Sequence, residues 1–182
     1  EPSSGDGHAF GGADVSCGLL ERVGNANANT LTGGLGDDQL IGANLPIIWT
    51  IAGASHTAVY GAATLGFSAI ETVTGGSAAD TFRLDDASNF TGNLDGAGGM
   101  DALDYSSAST QVQTTLSGLG SLDGFAGITT GLNGAFDNID AIYAGTNTAD
   151  VLTGANLAAT FELDGTDRYL TGARELRSEE HT

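Results

Sequence analysis

The chain has 182 residues, of which 23 are acidic and only 5 basic, giving a formal charge of −18 that would repel nucleic-acid phosphate and anionic membrane and attract divalent cations. Glycine fills 29 positions, proline 2, and apolar residues 40%, a mixture that excludes collagen, proline-rich linkers and simple disorder. The single cysteine, Cys17, excludes an internal disulfide and a cysteine-built zinc site, and no apolar run is long enough to span a membrane.

Residues 1–18 read as a ragged start or the end of a preceding repeat, with His8 in solvent. Glu1 is neither an initiator nor part of a signal peptide, so the chain reads as a piece from the middle of a larger protein. Residues 19–176 form one repetitive segment. Its clearest part is a pair of nonapeptides in register, Gly24-Asn25-Ala26-Asn27-Ala28-Asn29-Thr30-Leu31-Thr32 and Gly33-Gly34-Leu35-Gly36-Asp37-Asp38-Gln39-Leu40-Ile41. Each starts with Gly, carries Asn29 or Asp38 at its sixth position, and carries Leu31 or Leu40 at its eighth. Glycine permits tight turns, the last three residues are extended, and the one apolar side chain points inward. The sixth-position acid is then expected to face outward beside bared carbonyl oxygens, a ligand set that suits calcium.

The phrase recurs. Leu19–Gly24, Phe67–Gly75 and Phe136–Ala144 each lead an apolar and acidic strand into a turn. Two of the turns that follow place Asp80 and Asp150 at position six and Phe82 and Leu152 at position eight. Residues 92–106 put Asp101 and Leu103 at those positions, and Asp167 sits in a weaker copy. In the third nonapeptide in line, residues 42–50, Ile47 stands where the acid should be. Residues 38–45 recur as 150–157, and both copies are followed by a β-prone stretch. Ile139 and Ile142 are three apart, so a bulge or bend is needed if both point inward. No segment keeps helical apolar spacing, so many short strands separated by Gly/Asn/Asp turns are predicted. Residues 177–182 break the composition and match the translated start of a common sequencing-library adapter; a non-native tail is expected there.

Gly33 to Ile41 fits the pattern G-G-x-G-x-D-x-U-x at every specified position. Here the sequence resembles the RTX, or haemolysin-type calcium-binding, repeats, and more broadly the β-strand-repeat regions of large secreted and surface proteins of bacteria. The run 95–106 resembles a second phrase of that family, with one Gly displaced. The resemblance implies an all-β parallel β-solenoid (a right-handed β-helix or β-roll) with irregular coils, in which ions sit between stacked turns. Calcium ligands would be Asp38 with the carbonyls of Gly34 and Gly36, assisted by Asn29 or Asp37, and in other turns Asp80, Asp101 and Asp150. The same Asp and Asn side chains can instead cap turns by accepting backbone N–H bonds, and inward Asn or Thr ladders can hold such a fold without metal.

No nucleophile elbow, zincin helix or phosphate loop is present, Lys is absent, and His8 and His56 have no partners suggesting a triad. The expected function is therefore non-catalytic: a calcium-associated structural or adhesive segment of a secreted or cell-surface protein. Its partners would be further repeats of the same parent chain and a cell-surface or polysaccharide ligand, with neither nucleic acid nor membrane insertion. Two other readings stay open, the folding module of a calcium-dependent exoenzyme and a carbohydrate-active β-helix.

Overall fold

The computed structural model describes residues 7–9, 29–53, 55–162, 168–171 and 174–179. The phrase at 19–24, the start of the first nonapeptide, Cys17, Asp167 and residues 180–182 lie outside them. The described chain is all β, built from eighteen strands of three to seven residues in two sheets.

From its second strand the chain alternates between the sheets. After β1 (Gly7–Ala9), β2 (Asn29–Thr32) lies in the eleven-stranded first sheet and β3 (Gln39–Ile41) in the seven-stranded second. Strands β4 (Ile48–Ala52), β5 (Ser55–Tyr60) and β6 (Ala63–Ser68) return to the first sheet as an antiparallel meander. Next come β7 (Thr72–Thr74) in the second, β8 (Thr81–Leu84) in the first, β9 (Asn93–Asp95) in the second and β10 (Ala102–Asp104) in the first. A meander of β11 (Gln113–Leu119), β12 (Phe125–Thr129) and β13 (Phe136–Ile139) follows in the second sheet, then β14 (Ala141–Tyr143) in the first and β15 (Val151–Thr153) in the second. A third meander, β16 (Thr160–Glu162), β17 (Arg168–Thr171) and β18 (Arg174–Glu179), closes the order in the first sheet. Neighbouring strands that do not belong to one meander pair in parallel. Both sheets are thus mixed rather than wholly parallel, because the meanders insert antiparallel pairs. The residues expected to be a foreign tail enter this order, with Arg177 opposite Ala141 and Glu179 opposite Tyr143.

Parallel register stacks like on like. In the first sheet Trp49, Phe82, Leu103 and Ile142 form one column; in the second, Leu40, Val73, Leu94 and Phe136 form another. All eight side chains are buried in one core shared by both sheets, each contributing about 1.5–3 kcal/mol of burial. Trp49 stacks on Phe82 with centroids 6.2 Å apart and meets Phe67 edge-on at 6.0 Å. Phe125 and Tyr169 join the two sheets at 5.6 Å. The inward eighth position holds: Leu31, Leu40, Phe82 and Leu103 are buried, and Leu152 packs partly buried against the core.

The two matched segments, 38–45 and 150–157, start at β3 and β15, the opposite edges of the second sheet. Each ends in the same tight turn, the Leu45 amide bonding Ala43 O (2.8 Å) and the Leu157 amide bonding Ala155 O (2.7 Å), and each leads into a first-sheet meander. The spacing of Ile139 and Ile142 is also explained. Ile139 ends β13 in the second sheet and Ile142 is central in β14 of the first; the chain changes sheets between them, and both are buried.

His56 lies in this core, 5.2 Å from the ring centroids of both Phe67 and Phe90, with no partner for Nδ1. Burial lowers its pKa below the ordinary 6.5. The unfolded chain therefore takes up the proton first, so His56 leaves stability intact above pH 6.5 and erodes it as pH falls below that value. Thermal melting of His56→Leu should show a shallower loss of stability than wild type between pH 6.5 and 5.

Candidate functional site

The second recurring feature lies in the turns where the chain changes sheets. Four run from a glycine to an acid five positions on: Gly33 to Asp38, Gly75 to Asp80, Gly96 to Asp101 and Gly145 to Asp150. A three- or four-residue strand begins at the next residue each time. The acid folds back over the turn's opening. Asp80 Oδ2 accepts the Gly76 amide at 2.7 Å, and Asp150 Oδ2 accepts the Gly145 amide at 3.1 Å. A Cβ on Gly75 would lie 2.5 Å from both Asp80 Oδ2 and Gly96 O. On Gly33 it would overlap Ala69 O, and on Gly96 it would overlap Asn138 O. At Gly33, Gly75 and Gly96 the opening glycine is fixed by close approach of the acid on one side and a neighbouring backbone on the other, and at Gly145 by the Ala108 carbonyl, 2.6 Å from a Cβ there.

The same carboxylates also reach the neighbouring rung. Asp80 Oδ1 accepts the Ile47 amide (2.7 Å), Asp101 Oδ1 the Asp80 amide (2.7 Å) and Asp140 Oδ2 the Asp101 amide (3.0 Å). Ile47, Asp80, Asp101 and Asp140 immediately precede β4, β8, β10 and β14, which are consecutive in the first sheet. The second sheet repeats the device. Glu71 Oε2 accepts the Asp38 amide (2.8 Å), and Asp150 Oδ1 accepts the Val112 amide (2.9 Å). The return bonds run through the backbone: Thr81 N to Ile47 O, Ala102 N to Asp80 O, Ala141 N to Asp101 O, Thr72 N to Asp38 O and Val151 N to Val112 O, all 2.9–3.0 Å. An acid placed one residue before a short parallel strand thus supplies the acceptor that the backbone ladder lacks at its end.

The expectation that sixth-position acids face outward is corrected. Asp38, Asp80 and Asp101 are at most 1% exposed, because each is turned onto glycine and backbone; Asp150 is half-buried. The structure brings Asp80 and Asp101 together as adjacent rungs. It sets Asp38 and Asp150 before strands at opposite edges of the second sheet, and it puts Asn29 at the start of β2 in the first. Gly34 and Gly36 share the exposed Asp38 turn, at φ 136° and 117°, angles that favour glycine. Ile47 occupies the acid's place without its carboxylate; its buried side chain packs where a Cβ on Gly42 would lie 2.8 Å from Cδ1.

Three acids at this position differ in how many donors they meet. Asp80 meets two, one on each oxygen. Asp101 meets one, and its Oδ2 is buried without a partner. Asp38 meets none, with both oxygens buried and unpartnered. Burial raises the Asp80 pKa, opposed by the Gly76 and Ile47 amides. Burial, with the charges of Asp80, Asp140 and Asp123, pushes Asp101 up to about 8 against the pull of the Asp80 amide. Asp140 is raised by burial and by Asp123 and lowered by the Asp101 amide and Arg174.

Glu71 and Asp140 belong to the same ladders and were missed in the sequence. Their signal was present: Glu-Thr-Val-Thr and Asp-Ala-Ile-Tyr have the acid–x–apolar order of Asp-Thr-Phe-Arg and Asp-Ala-Leu-Asp. Other acids hold loops. Asp85, Asp95 and Asp104 accept the amide two residues on, at 2.9–3.0 Å. Asp86 is held by the hydroxyls and amides of Ser109 and Thr110, which keep its carboxyl well below the usual range. Asn138, buried at φ 56°, takes the Leu122 and Asp123 amides on Oδ1 and donates to Asp95. Among the described residues no three acids, histidines or cysteines are placed to hold one metal ion, and no helix is long and apolar enough to cross a membrane. Protein-family models, curated proteins and solved structures were compared with the chain, and none matches it.

Two substitutions test this geometry. Asp80→Ala strands the buried Ile47 and Gly76 amides and should lower stability by about 3 kcal/mol in urea unfolding, given about 1.5–3 kcal/mol for each bond to a charged group. Gly75→Ala should cost a similar amount, about 3 kcal/mol, since the atoms it meets include backbone. Gly118→Ala, with nothing within 4 Å of its Cβ position, should stay within about 1 kcal/mol of wild type.

Proposed function

We propose that this chain is a non-catalytic, calcium-associated segment of a large secreted or cell-surface protein, folded as an irregular parallel β-solenoid and serving a structural or adhesive role. The observation that carries the calcium reading is the Asp38 carboxylate, buried with neither oxygen meeting a donor, in the one turn that fits the nonapeptide pattern throughout. A carboxylate taken from water without donors is strongly disfavoured, and a hard cation bound by carboxylate and carbonyl oxygens compensates it. Gly34 and Gly36 of the same turn supply those carbonyls in this reading. Asp80 and Asp150, whose oxygens already accept amides, act as caps. Asp101 is a rung of the same ladder, and Asn29 stands at the start of β2.

The solenoid reading is supported by the alternation of strands between two sheets and by the stacked like residues. Open-ended stacking of this kind suits further repeats of the same parent chain as neighbours. The acidic surface gives an extended, self-repelling segment that cations would neutralise and stiffen.

Calcium titration tests the reading, with Trp49, the one tryptophan and fully buried, as fluorescence reporter. At about a hundredfold excess over Kd, calcium should stabilise the fold by about 2.7 kcal/mol. Asp38→Asn should abolish that gain while losing little stability in chelator. No rise in melting temperature across millimolar calcium, or a full rise in Asp38→Asn, overturns it. A catalytic domain in the flanking coding sequence, in place of further repeats, would overturn the scaffold role.

A further inference from the structure

We propose that the free edges of β15 and β16 form one docking surface, and that its occupant is a further unit of the same parent chain, which adds its own equivalents of β7 and β8. This surface rests on the solenoid reading above and needs no calcium at Asp38.

The chain contains the start of a second unit. Gly33, Asp38 and Ile48 stand 112 residues before Gly145, Asp150 and Thr160. The match extends to the fold. β2, the Gly33–Asp38 turn, β3 and the β4–β6 meander recur in the same order as β14, the Gly145–Asp150 turn, β15 and the β16–β18 meander. The last strand of each meander returns to pair in parallel with the first strand of its set, β6 with β2 and β18 with β14. Gly61-Ala62-Ala63-Thr64-Leu65 recurs as Gly172-Ala173-Arg174-Glu175-Leu176, and both leucines are buried. From β3 to β15 the second sheet advances by six strands, and from β4 to β16 the first sheet also advances by six. Both sheets therefore reach the same phase after one unit, a rise of about 29 Å at about 4.8 Å per strand. A further unit can continue the two sheets at once.

The two sets differ at one edge. In the first, β3 pairs with β7 and β4 with β8, both in parallel. In the second, neither β15 nor β16 has a strand on that side among the described residues. Side-chain exposure differs accordingly. Leu40, Gly42 and Ile47 are buried, whereas Leu152 and Gly154 are half-buried and Ala159 is exposed. The acid caps identify what fits there. Glu71 Oε2 accepts the Asp38 amide at 2.8 Å, and Asp80 Oδ1 accepts the Ile47 amide at 2.7 Å. The counterparts at the free edges are the amide of Asp150, which reaches Asn147 O at 3.3 Å, and the amide of Ala159. Glu71 and Asp80 immediately precede β7 and β8, so a strand pair of that pattern brings a carboxylate to each amide. An unrelated edge strand would offer ladder bonds without carboxylates at those two positions.

The test lengthens the full chain in phase, with a second copy of residues 66–176 inserted after Leu176, the counterpart of Leu65. A comparison chain receives residues 85–176 at the same place and so lacks the second β7 and β8. Amide hydrogen exchange at residues 151–153 and 160–162 should slow by about tenfold or more in the first chain and stay as in the unmodified protein in the second. Small-angle scattering should show the first chain longer than the unmodified protein by about 29 Å. Unchanged exchange or length in the in-phase chain, or equal slowing by both insertions, overturns the proposal. Slowing in the unmodified protein as its concentration rises assigns the edges to a second copy and also overturns it. The interior strands β8 and β10 check the reading beneath it: exchange as fast there as at β15 overturns the stacked solenoid itself, and the docking surface with it. If the longer chain does not fold, a peptide of residues 70–86 at millimolar concentration decides. It should slow exchange at β15 and β16 where its Asp80→Ala version does not; no slowing, or equal slowing by both peptides, overturns the proposal.

Discussion

The bond from a backbone amide to the acid one rung further along is the interaction on which the rest depends. Strands such as β8, β10 and β14 have only three or four residues, so each parallel pair makes few ladder bonds. A single side-chain acceptor at the strand's entry is a large fraction of what joins two rungs, and bonds to charged groups are worth about 1.5–3 kcal/mol each. The device also sets register. Asp101 can reach the Asp80 amide only when Ala102 lies opposite Thr81, which places Leu103 on Phe82 and keeps the apolar column in line. A one-residue slip would break the carboxylate bond and turn every core side chain outward together.

This arrangement accounts for the composition as well. Many of the acids that make the chain so negative are spent on backbone amides, in the ladders and in turns such as those of Asp85, Asp86, Asp95 and Asp104. Glycine abundance has a matching cause where an acid folds onto the opening residue of its turn. The ion pair of Arg83 with Asp104 at 3.1 Å has a half-exposed arginine and contributes little. Negative charge here is first a means of terminating short parallel strands, and only second a surface property.

Strand content and the inward eighth position were legible because they rest on local pattern: Leu40, Phe82 and Leu103 are each the second residue of a short strand after a Gly-containing turn. The matched segments at 38–45 and 150–157 were legible for the same reason, and they form the same turn. The direction of the acids was not, because a carboxylate at the sixth position can face solvent or fold onto its glycine with equal local propriety. The choice is made by a backbone amide 21 to 39 residues away in sequence, as with Asp80 to Asp101 and Asp101 to Asp140. Glu71 and Asp140 escaped notice because their turns lack the opening glycine, though the acid–x–apolar order was there. The meanders were hidden too: β5 and β12 add strands without adding acid-capped turns. Asn138, which organises the loop at 120–124, carries no motif, and its role depends on Asp95 arriving from β9 and Leu122 from the loop.

Donor supply separates acids that occupy one motif position. Asp80 lies between two amides and its charge is compensated within the protein. Asp101 has lost one of those amides because its turn opens on Gly96 and Ala97, and Ala97 donates instead to Asp95. Asp38 meets neither: β3 is an edge strand among the described residues, and no described residue donates to its carboxylate. A carboxylate short of both donors presents two buried oxygens, which a divalent cation satisfies well. The cap at Asp80 and the calcium site proposed at Asp38 then follow from a single rule: what completes the carboxylate is set by how many amides its own turn and the neighbouring rung together provide.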